Sequence, residues 1–161
     1  MLEFKAVTID KPPEVNVIIG QSHFIKTVED LHEVLVQAAS GIKFGLAFCE
    51  ASGPCLIRHS GTDPALEQLA IDAARSIGAG HMFVVMLGNV FPISVLNQIK
   101  LVAEVCTVYC ASANPLRVIV ACEGENRGLM GVIDGSAPKG VEDDEQRRER
   151  QALLRRFGYK F

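Results

Sequence analysis

No other part of the sequence limits the fold as strongly as a continuous apolar run from His81 to Leu87, which lies between glycines. The run is too short to span a bilayer, for which a helix needs about 20 apolar residues. It is typical of a β-strand whose two faces are both covered. The run therefore predicts a central strand with packed structure on both sides.

Shorter apolar or alternating stretches predict the remaining strands, because turn-forming residues bound each of them. These stretches cover residues 2–9, 15–20, 43–50, 55–59, 105–111, 116–122 and 129–134. The last two flank a glycine-rich segment, so we expect them to pair as a hairpin.

Three segments have the apolar spacing of helices. Thr27 is predicted to begin the first, in a capping box completed by Asp30. Asp63 is predicted to cap the second, with Pro64 at the first helical position. The third covers residues 92–103.

The C-terminal stretch, residues 142–161, has five acidic residues ahead of most of its six basic ones. This order suits the helix macrodipole and predicts a charged, solvated helix that docks through Leu153, Leu154 and Phe157. Together the elements predict an α/β fold. We expect a single compact domain over residues 1–161, with a mixed β-sheet packed by about three helices plus the C-terminal charged helix.

Length and composition support one folded domain, because 161 residues with 48% hydrophobic side chains can bury a core without a metal or disulfides. The net charge of −3 gives no electrostatic reason to expect binding to nucleic acid or to a membrane. The five cysteines form no C-x-x-C motif and predict reduced thiols. With no apolar signal segment at the N-terminus, we expect a cytoplasmic protein.

The mean hydropathy of +0.22 indicates apolar surface buried between subunits. We therefore expect a homo-oligomer, with a trimer as one candidate. The histidines show no metal-ligand spacing, and no cysteine pair has zinc-finger spacing, so we expect no metal site. Walker, dinucleotide and nucleophile-elbow motifs are also absent from the sequence.

Residues 20–27 place polar side chains and a histidine at a strand-to-helix junction, a position that often holds functional sites. The imidazole of His23 could act as a nucleophile, with Lys26 and the helix N-terminus stabilising a transferred phosphoryl group. A histidine that hydrogen-bonds locally at the start of the helix is an equally good interpretation of these residues alone.

Two further segments combine apolar and polar side chains as nucleoside pockets do. Residues 91–100 contribute Phe91, Ser94 and Asn97, although an ordinary helix with surface amides explains them as well. Residues 110–115 contribute Asn114 at a strand end, where a plain turn is the alternative.

Glu50, Asp63 and Asp134 lie at predicted strand ends or at a helix cap. Each carboxylate could bind a ribose hydroxyl or Mg²⁺. For Asp63 the capping role is the simpler explanation.

Several short blocks, in order along nearly the whole chain, resemble the adenosine-specific kinase family. They are GQSHF (20–24), FGLAFCEASG (44–53), AGH (79–81), FPISVLN (91–97), CASANP (110–115), the glycine-rich 127–135 and GYK (158–160). Ser94, Ser112 and Thr62 stand where the family pattern has Asn, Thr and Asn, but each remains small and polar.

The resemblance implies a small cytoplasmic α/β protein that binds adenosine and AMP, with His23 as the phosphoryl carrier. Our leading hypothesis is a phosphotransferase that uses a phosphohistidine, with Mg²⁺ and a phosphate donor as the cofactors such a reaction would need. The catalytic candidates are His23 and Lys26, and the adenosine-binding candidates are Gln21, Ser22, Glu50, Phe91, Ser94, Asn97, Asn114 and Asp134.

Two other functions stay open. The first is a module that binds or senses adenosine or AMP without catalysis. The second is a thiol-redox protein that uses Cys106 and Cys110, which would require a helical segment, because residues four apart in a strand are about 13 Å apart.

Overall fold

The computed structural model describes residues 1–161, and its elements follow the predicted order along the chain. The eight strands are β1 (Leu2–Thr8), β2 (Asn16–Ser22), β3 (Phe44–Cys49), β4 (Ile57–Gly61), β5 (Met82–Leu87), β6 (Val105–Ser112), β7 (Leu116–Glu123) and β8 (Asn126–Asp134). The α-helices are α1 (Thr27–Ala38), α2 (Pro64–Ile77), α3 (Leu96–Lys100) and α4 (Asp144–Arg156), and a 3-10 turn at Pro92–Ser94 precedes α3. The single-domain α/β class is confirmed.

β5 is the central strand of a five-stranded sheet with the order β4-β3-β5-β2-β6, as the apolar run predicted. Every neighbouring pair in this sheet is antiparallel. α1 connects β2 to β3, and α2 connects β4 to β5, but another strand lies between the members of each pair. The sequence predicted a mixed sheet, but this sheet is antiparallel throughout. The two strands that each helix connects run parallel to each other, and the strand inserted between them is antiparallel to both.

Both faces of this sheet are covered, because successive side chains of a strand point to opposite faces. Phe83 and Val85 of β5 belong to a core that includes residues of α1 and α3. Val84 and Met86 belong to a second core, which includes residues of α2 and β7. This double burial explains why β5 is apolar at every position.

A three-stranded antiparallel sheet, with the order β1-β7-β8, packs beside α2 over the second core. The predicted β7–β8 hairpin is confirmed. Leu116, Val118 and Val120 of β7 are buried against the larger sheet. β1 and β2 are consecutive in sequence but belong to different sheets, so the chain passes between the two layers at residues 9–15.

The start of α1 differs from the prediction. The Thr27 hydroxyl donates to the Phe24 carbonyl oxygen and lies against the Ser22 hydroxyl, so it caps no helical N–H group. Lys26 precedes the first turn and contributes no side-chain cap. The predicted capping box of Thr27 and Asp30 is therefore wrong, because neighbouring oxygens engage the Thr27 hydroxyl.

The cap of α2 is confirmed, since Asp63 Oδ1 accepts hydrogen bonds from the N–H groups of Ala65 and Leu66, at 3.0 and 3.1 Å. The third helix is shorter than the predicted 92–103. It is interrupted at Val95, a fully buried β-branched residue with a φ of −126° that lies between the 3-10 turn and α3.

α4 forms within the predicted C-terminal stretch and starts with a capping box of Asp143 and Gln146. None of its residues is buried. Leu154 is half-buried, whereas Leu153 and Phe157 remain 38% and 62% exposed, so the expected docking is slight within one chain. No helix in the molecule is both long and apolar enough to cross a membrane.

Candidate functional site

The candidate residues lie at the two ends of β2. Gln21, Ser22, His23, Lys26 and Glu50 form one group, which we call the His23 end. Phe91, Asn114 and Asp134 form the other group, which we call the Phe91 end and which lies beside the first residue of β2. A seven-residue strand is about 20 Å long. The structure therefore does not bring His23 and Phe91 together within one chain.

Ser22 holds the His23 end together. Its backbone N–H donates to the His81 carbonyl oxygen at 2.8 Å, and its hydroxyl donates to the Glu104 carbonyl oxygen at 3.0 Å. The Ser22 side chain is 1% exposed. This residue is thus a structural link between β2, β6 and α1, and its hydroxyl is not open to a ligand.

The His23 imidazole is free. The residue is exposed, and its ring makes no hydrogen bond within the protein, although its backbone N–H donates to the Glu104 carbonyl oxygen at 2.8 Å. The ring of Phe24 lies beside it, with 6.1 Å between the ring centroids. The structure therefore contradicts the interpretation of His23 as a histidine whose side chain hydrogen-bonds locally.

Lys26 is fixed by carboxylates near His23. Its ammonium group is ion-paired with Asp30, and Glu104 Oε2 lies 3.8 Å away. The hydrogen bond to Asp30 raises the pKa of Lys26, so this side chain keeps its positive charge. A fixed cation at the start of α1 adds to the positive end of the helix macrodipole.

Gln21 and Glu50 complete the His23 end. Gln21 is half-buried and its side chain has no hydrogen-bond partner. Glu50 accepts hydrogen bonds from the Leu56 N–H group at 2.8 Å and from Arg58 at 3.0 Å. The backbone hydrogen bond from Leu56, followed by Arg58, lowers the pKa of Glu50, which is therefore a carboxylate committed to its own neighbours.

The Phe91 end contains an apolar cleft of about 680 Å³, a volume suited to a small ligand. Phe91 is 65% exposed on its rim, and Phe157 and Tyr159 supply two further aromatic rings. Asn16 and Ser112 supply the polar groups of the lining, which includes no lysine, arginine, aspartate or glutamate.

Asp134 anchors the loop beside this cleft. Its Oδ1 accepts hydrogen bonds from the Ser112 hydroxyl at 2.6 Å and from Asn114 Nδ2 at 3.1 Å. Both bonds reach the same oxygen, so Oδ2 has no protein partner. Gly135 follows with a φ of +62°, and a Cβ there would meet the Asn114 side chain, so glycine is needed at this position.

Ser94 and Asn97 are exposed but do not line the cleft. Ile93 and Leu96 line it instead, because the turn before α3 directs these apolar side chains toward it. Sequence reasoning also missed Asn16, Phe157 and Tyr159 as lining residues. For Tyr159 the GYK block was a usable signal, whereas nothing local indicated that Asn16 would face a cleft.

The thiol-redox hypothesis is wrong. Cys106 and Cys110 belong to a strand, β6, and all five cysteines are free. Burial raises the pKa of Cys110 to about 11, so its reactive thiolate form is scarce at neutral pH. The structure brings together no group of three or more histidine, cysteine or acidic side chains able to hold a metal ion.

Comparisons with known proteins identify one family and one similar solved structure. The family model described as adenosine specific kinase matches residues 7–160. A crystal structure of the PH1918 protein from Pyrococcus horikoshii OT3 is 48% identical in sequence, with a TM-score of 0.96, and the match covers 100% of this chain and 99% of that one. No curated protein matches the chain.

Proposed function

The chain belongs to the adenosine-specific kinase family, and on that premise we propose that it phosphorylates adenosine through a phosphohistidine on His23. In this proposal His23 is the nucleophile and Lys26 stabilises the negative charge of the phosphoryl group in transfer. The unengaged imidazole of His23, beside an ion-paired lysine at the start of α1, is the observation that carries the proposal.

The proposed reaction has two steps, transfer of the phosphoryl group to His23 and then to adenosine. An unprotonated ring nitrogen of His23 attacks the terminal phosphorus of the donor, so that a nitrogen–phosphorus bond forms as the donor's oxygen–phosphorus bond breaks. The 5′-hydroxyl oxygen of adenosine then attacks the same phosphorus and displaces the imidazole. The proton of that hydroxyl goes to the departing imidazole, and AMP is released.

The Phe91 end supports the binding of the nucleoside. Its cleft has no charged side chain in its lining, which suits uncharged adenosine better than a polyphosphate. Phe91 and Tyr159 offer aromatic surface for the adenine ring. The free Oδ2 of Asp134 can accept a hydrogen bond from a ribose hydroxyl.

The distance between the two ends supports a site shared between copies of the chain. Adenosine bound at the Phe91 end cannot reach His23 of its own chain, about 20 Å away along β2. We propose a homo-oligomer, such as a trimer closed by one repeated contact, in which His23 of one copy faces the adenosine cleft of the next. The exposed apolar side chains of Phe91, Ile93 and Phe157 would be covered by that contact.

The same proposal places the protein in the cytoplasm, where free cysteines such as the exposed Cys55 and Cys106 persist. In both steps above, the protein groups that act on the phosphoryl group are His23 and Lys26. Any Mg²⁺ would enter with the phosphate donor, as in other phosphoryl transfers.

The test is phosphate incorporation in wild-type and His23→Ala protein. Phosphoramidate phosphorylates accessible imidazoles directly and releases ammonia, so it loads His23 without the natural donor. Because His59 is also exposed and can be loaded too, intact mass should show one phosphoryl group fewer in His23→Ala than in the wild type, and adenosine should remove only the group on His23 to give AMP. His32→Gln is the matched control, because His32 is already hydrogen-bonded to Ser60. Equal loading of His23→Ala and wild type would contradict the mechanism.

A second function is favoured by the separation of the two ends within one chain. If His23 and the adenosine cleft never meet, the protein is a binding module that responds to adenosine or AMP. Saturable adenosine binding, measured by calorimetry, together with a phosphorylated His23 that adenosine fails to discharge, would support this second function over the first.

A further inference from the structure

A second cleft, of about 690 Å³, lies at the His23 end between the β2–α1 junction and β4. Phe24 and Ile25 form one wall, and Leu56 and Ile57 form the other. Phe24 and Leu56 are 52% and 50% exposed, which is high for large apolar side chains that face each other across a cleft. Exposed apolar surface of this kind marks a ligand or interaction site.

The charge of this cleft distinguishes it from the cleft at the Phe91 end. Lys26, Arg58 and His59 all contribute to its lining, each paired with a carboxylate that lies outside the lining, and Glu29 is the one acidic residue of the lining. The Phe91 end has no charged side chain in its lining. The molecule therefore has one cleft suited to an uncharged ligand and another suited to an anionic one.

Arg58 is oriented for an anion. Its Nη2 group donates to Glu50 Oε1 at 3.0 Å, which fixes the guanidinium plane. Its Nη1 group makes no hydrogen bond within the protein, and the Arg58 side chain is 39% exposed. A planar guanidinium with an unused donor is well suited to the oxygen atoms of a phosphate group.

We propose that this cleft binds the phosphoryl donor, a nucleoside triphosphate, with its phosphate chain at Lys26 and Arg58 and its base between Phe24 and Leu56. The inference rests on the proposed function, since it names the donor for the phosphohistidine. Cleavage of the terminal phosphoanhydride bond transfers that phosphoryl group to the imidazole of His23, the residue next to Phe24, and a nucleoside diphosphate leaves. The proposal separates the two substrates, with the donor at one end of β2 and adenosine at the other.

The test is a calorimetric titration of the full-length protein with ATP. Arg58→Met should weaken ATP binding at least tenfold and leave adenosine affinity unchanged, whereas Phe91→Ala should weaken adenosine binding alone. Arg75→Met is the matched control. Arg75 is also paired with a carboxylate, that of Asp72, but lies on α2 outside the cleft. This control should bind ATP like the wild type.

Lys26→Met provides a second variant in case Arg58→Met fails to fold, because Lys26 is 55% exposed and its loss disturbs no core. It should also weaken ATP binding. Unchanged ATP affinity in a folded Arg58→Met or Lys26→Met protein would overturn the assignment of the cleft, as would loss of ATP binding in Phe91→Ala.

Inorganic tripolyphosphate tests the role of the apolar walls. Weaker binding of tripolyphosphate than of ATP, with a further loss of ATP affinity in Phe24→Ala, supports a nucleotide ligand. Equal binding of the two compounds overturns the nucleotide assignment. These titrations need no turnover, so ATP binding that depends on Arg58, without phosphate on His23, would refute the proposed function and the donor role but leave the assignment of the cleft as a nucleoside triphosphate site intact.

Discussion

At the scale of single residues, Glu104 accepts two structural hydrogen bonds through its backbone, while its carboxylate is buried. Its carbonyl oxygen accepts hydrogen bonds from the His23 N–H group and the Ser22 hydroxyl. Its side chain is 6% exposed, and Oε1 is buried without a hydrogen-bond partner. Burial, followed by the nearby Asp30 carboxylate, raises the pKa of Glu104. The ionised form of Glu104 is therefore less favourable in the folded protein than in the unfolded chain.

Glu104→Gln should change stability in a pH-dependent way. Because the folded pKa of Glu104 lies above the unfolded one, the folded state binds the proton more tightly, and wild-type stability decreases as the pH rises through that window. Glutamine cannot ionise, so the variant should have a higher free energy of unfolding than the wild type at pH 8. The difference should shrink toward zero at pH values below both pKa values, around pH 3 to 4.

Urea denaturation at pH 8 and at low pH measures this difference, with Glu123→Gln as the control, because Glu123 is exposed and unpaired. A Glu104→Gln protein that is less stable than the wild type at pH 8 would mean that attraction to Lys26 outweighs the burial of the charge.

At the scale of elements, α2 and α4 begin in the same way but differ in packing. Asp63 caps α2, and Asp143 caps α4 within a capping box. α2 contributes Ala70, Ala74 and Ile77 to the core, whereas α4 buries none of its residues. A cap stabilises its own helix, so it affects global stability only where that helix is part of the cooperative core.

Asp63→Ala should lower the free energy of unfolding by about 1 kcal/mol, because two N–H groups of α2 lose their acceptor. Asp143→Ala makes the same chemical change in α4 and should leave the global unfolding transition in place. Chemical denaturation monitored by circular dichroism compares the two variants. Equal losses would indicate that α4 is packed in solution, for example against a second copy of the chain.

The sequence predicts the helices and strands better than it predicts which strands pair with each other. The buried strand β5 and the Asp63 cap were predictable because each depends on the types of residues that are close together in the chain. Strand order was not predictable, because the insertion of β5 between β2 and β3 depends on contacts that are distant in sequence. The start of α1 was mispredicted although the contacts are local, because the Thr27 hydroxyl engages Ser22 and Phe24 and not a helical N–H group.

At the scale of the whole molecule, the fold explains why the predicted site is divided. The GQSHF and FGLAFCEASG blocks meet at the His23 end, while FPISVLN and CASANP meet at the Phe91 end. Short blocks indicate residue types that suit a ligand, but they carry no information on which end of a strand each will occupy. A site shared between copies reconciles the blocks with this topology.

Mixing two defective variants tests the shared site directly. His23→Ala removes the nucleophile, and Asp134→Asn should weaken adenosine binding about tenfold or more by removing the charged acceptor beside the cleft. Each variant alone should form little AMP at low adenosine concentration. If the two are unfolded together and refolded, a ring with sites between neighbours should recover about a quarter of wild-type activity, because one site in four then combines an intact His23 with an intact Asp134. The separately refolded variants, mixed without exchange, are the control. If the co-refolded sample recovers no more activity than the control, the shared site is refuted.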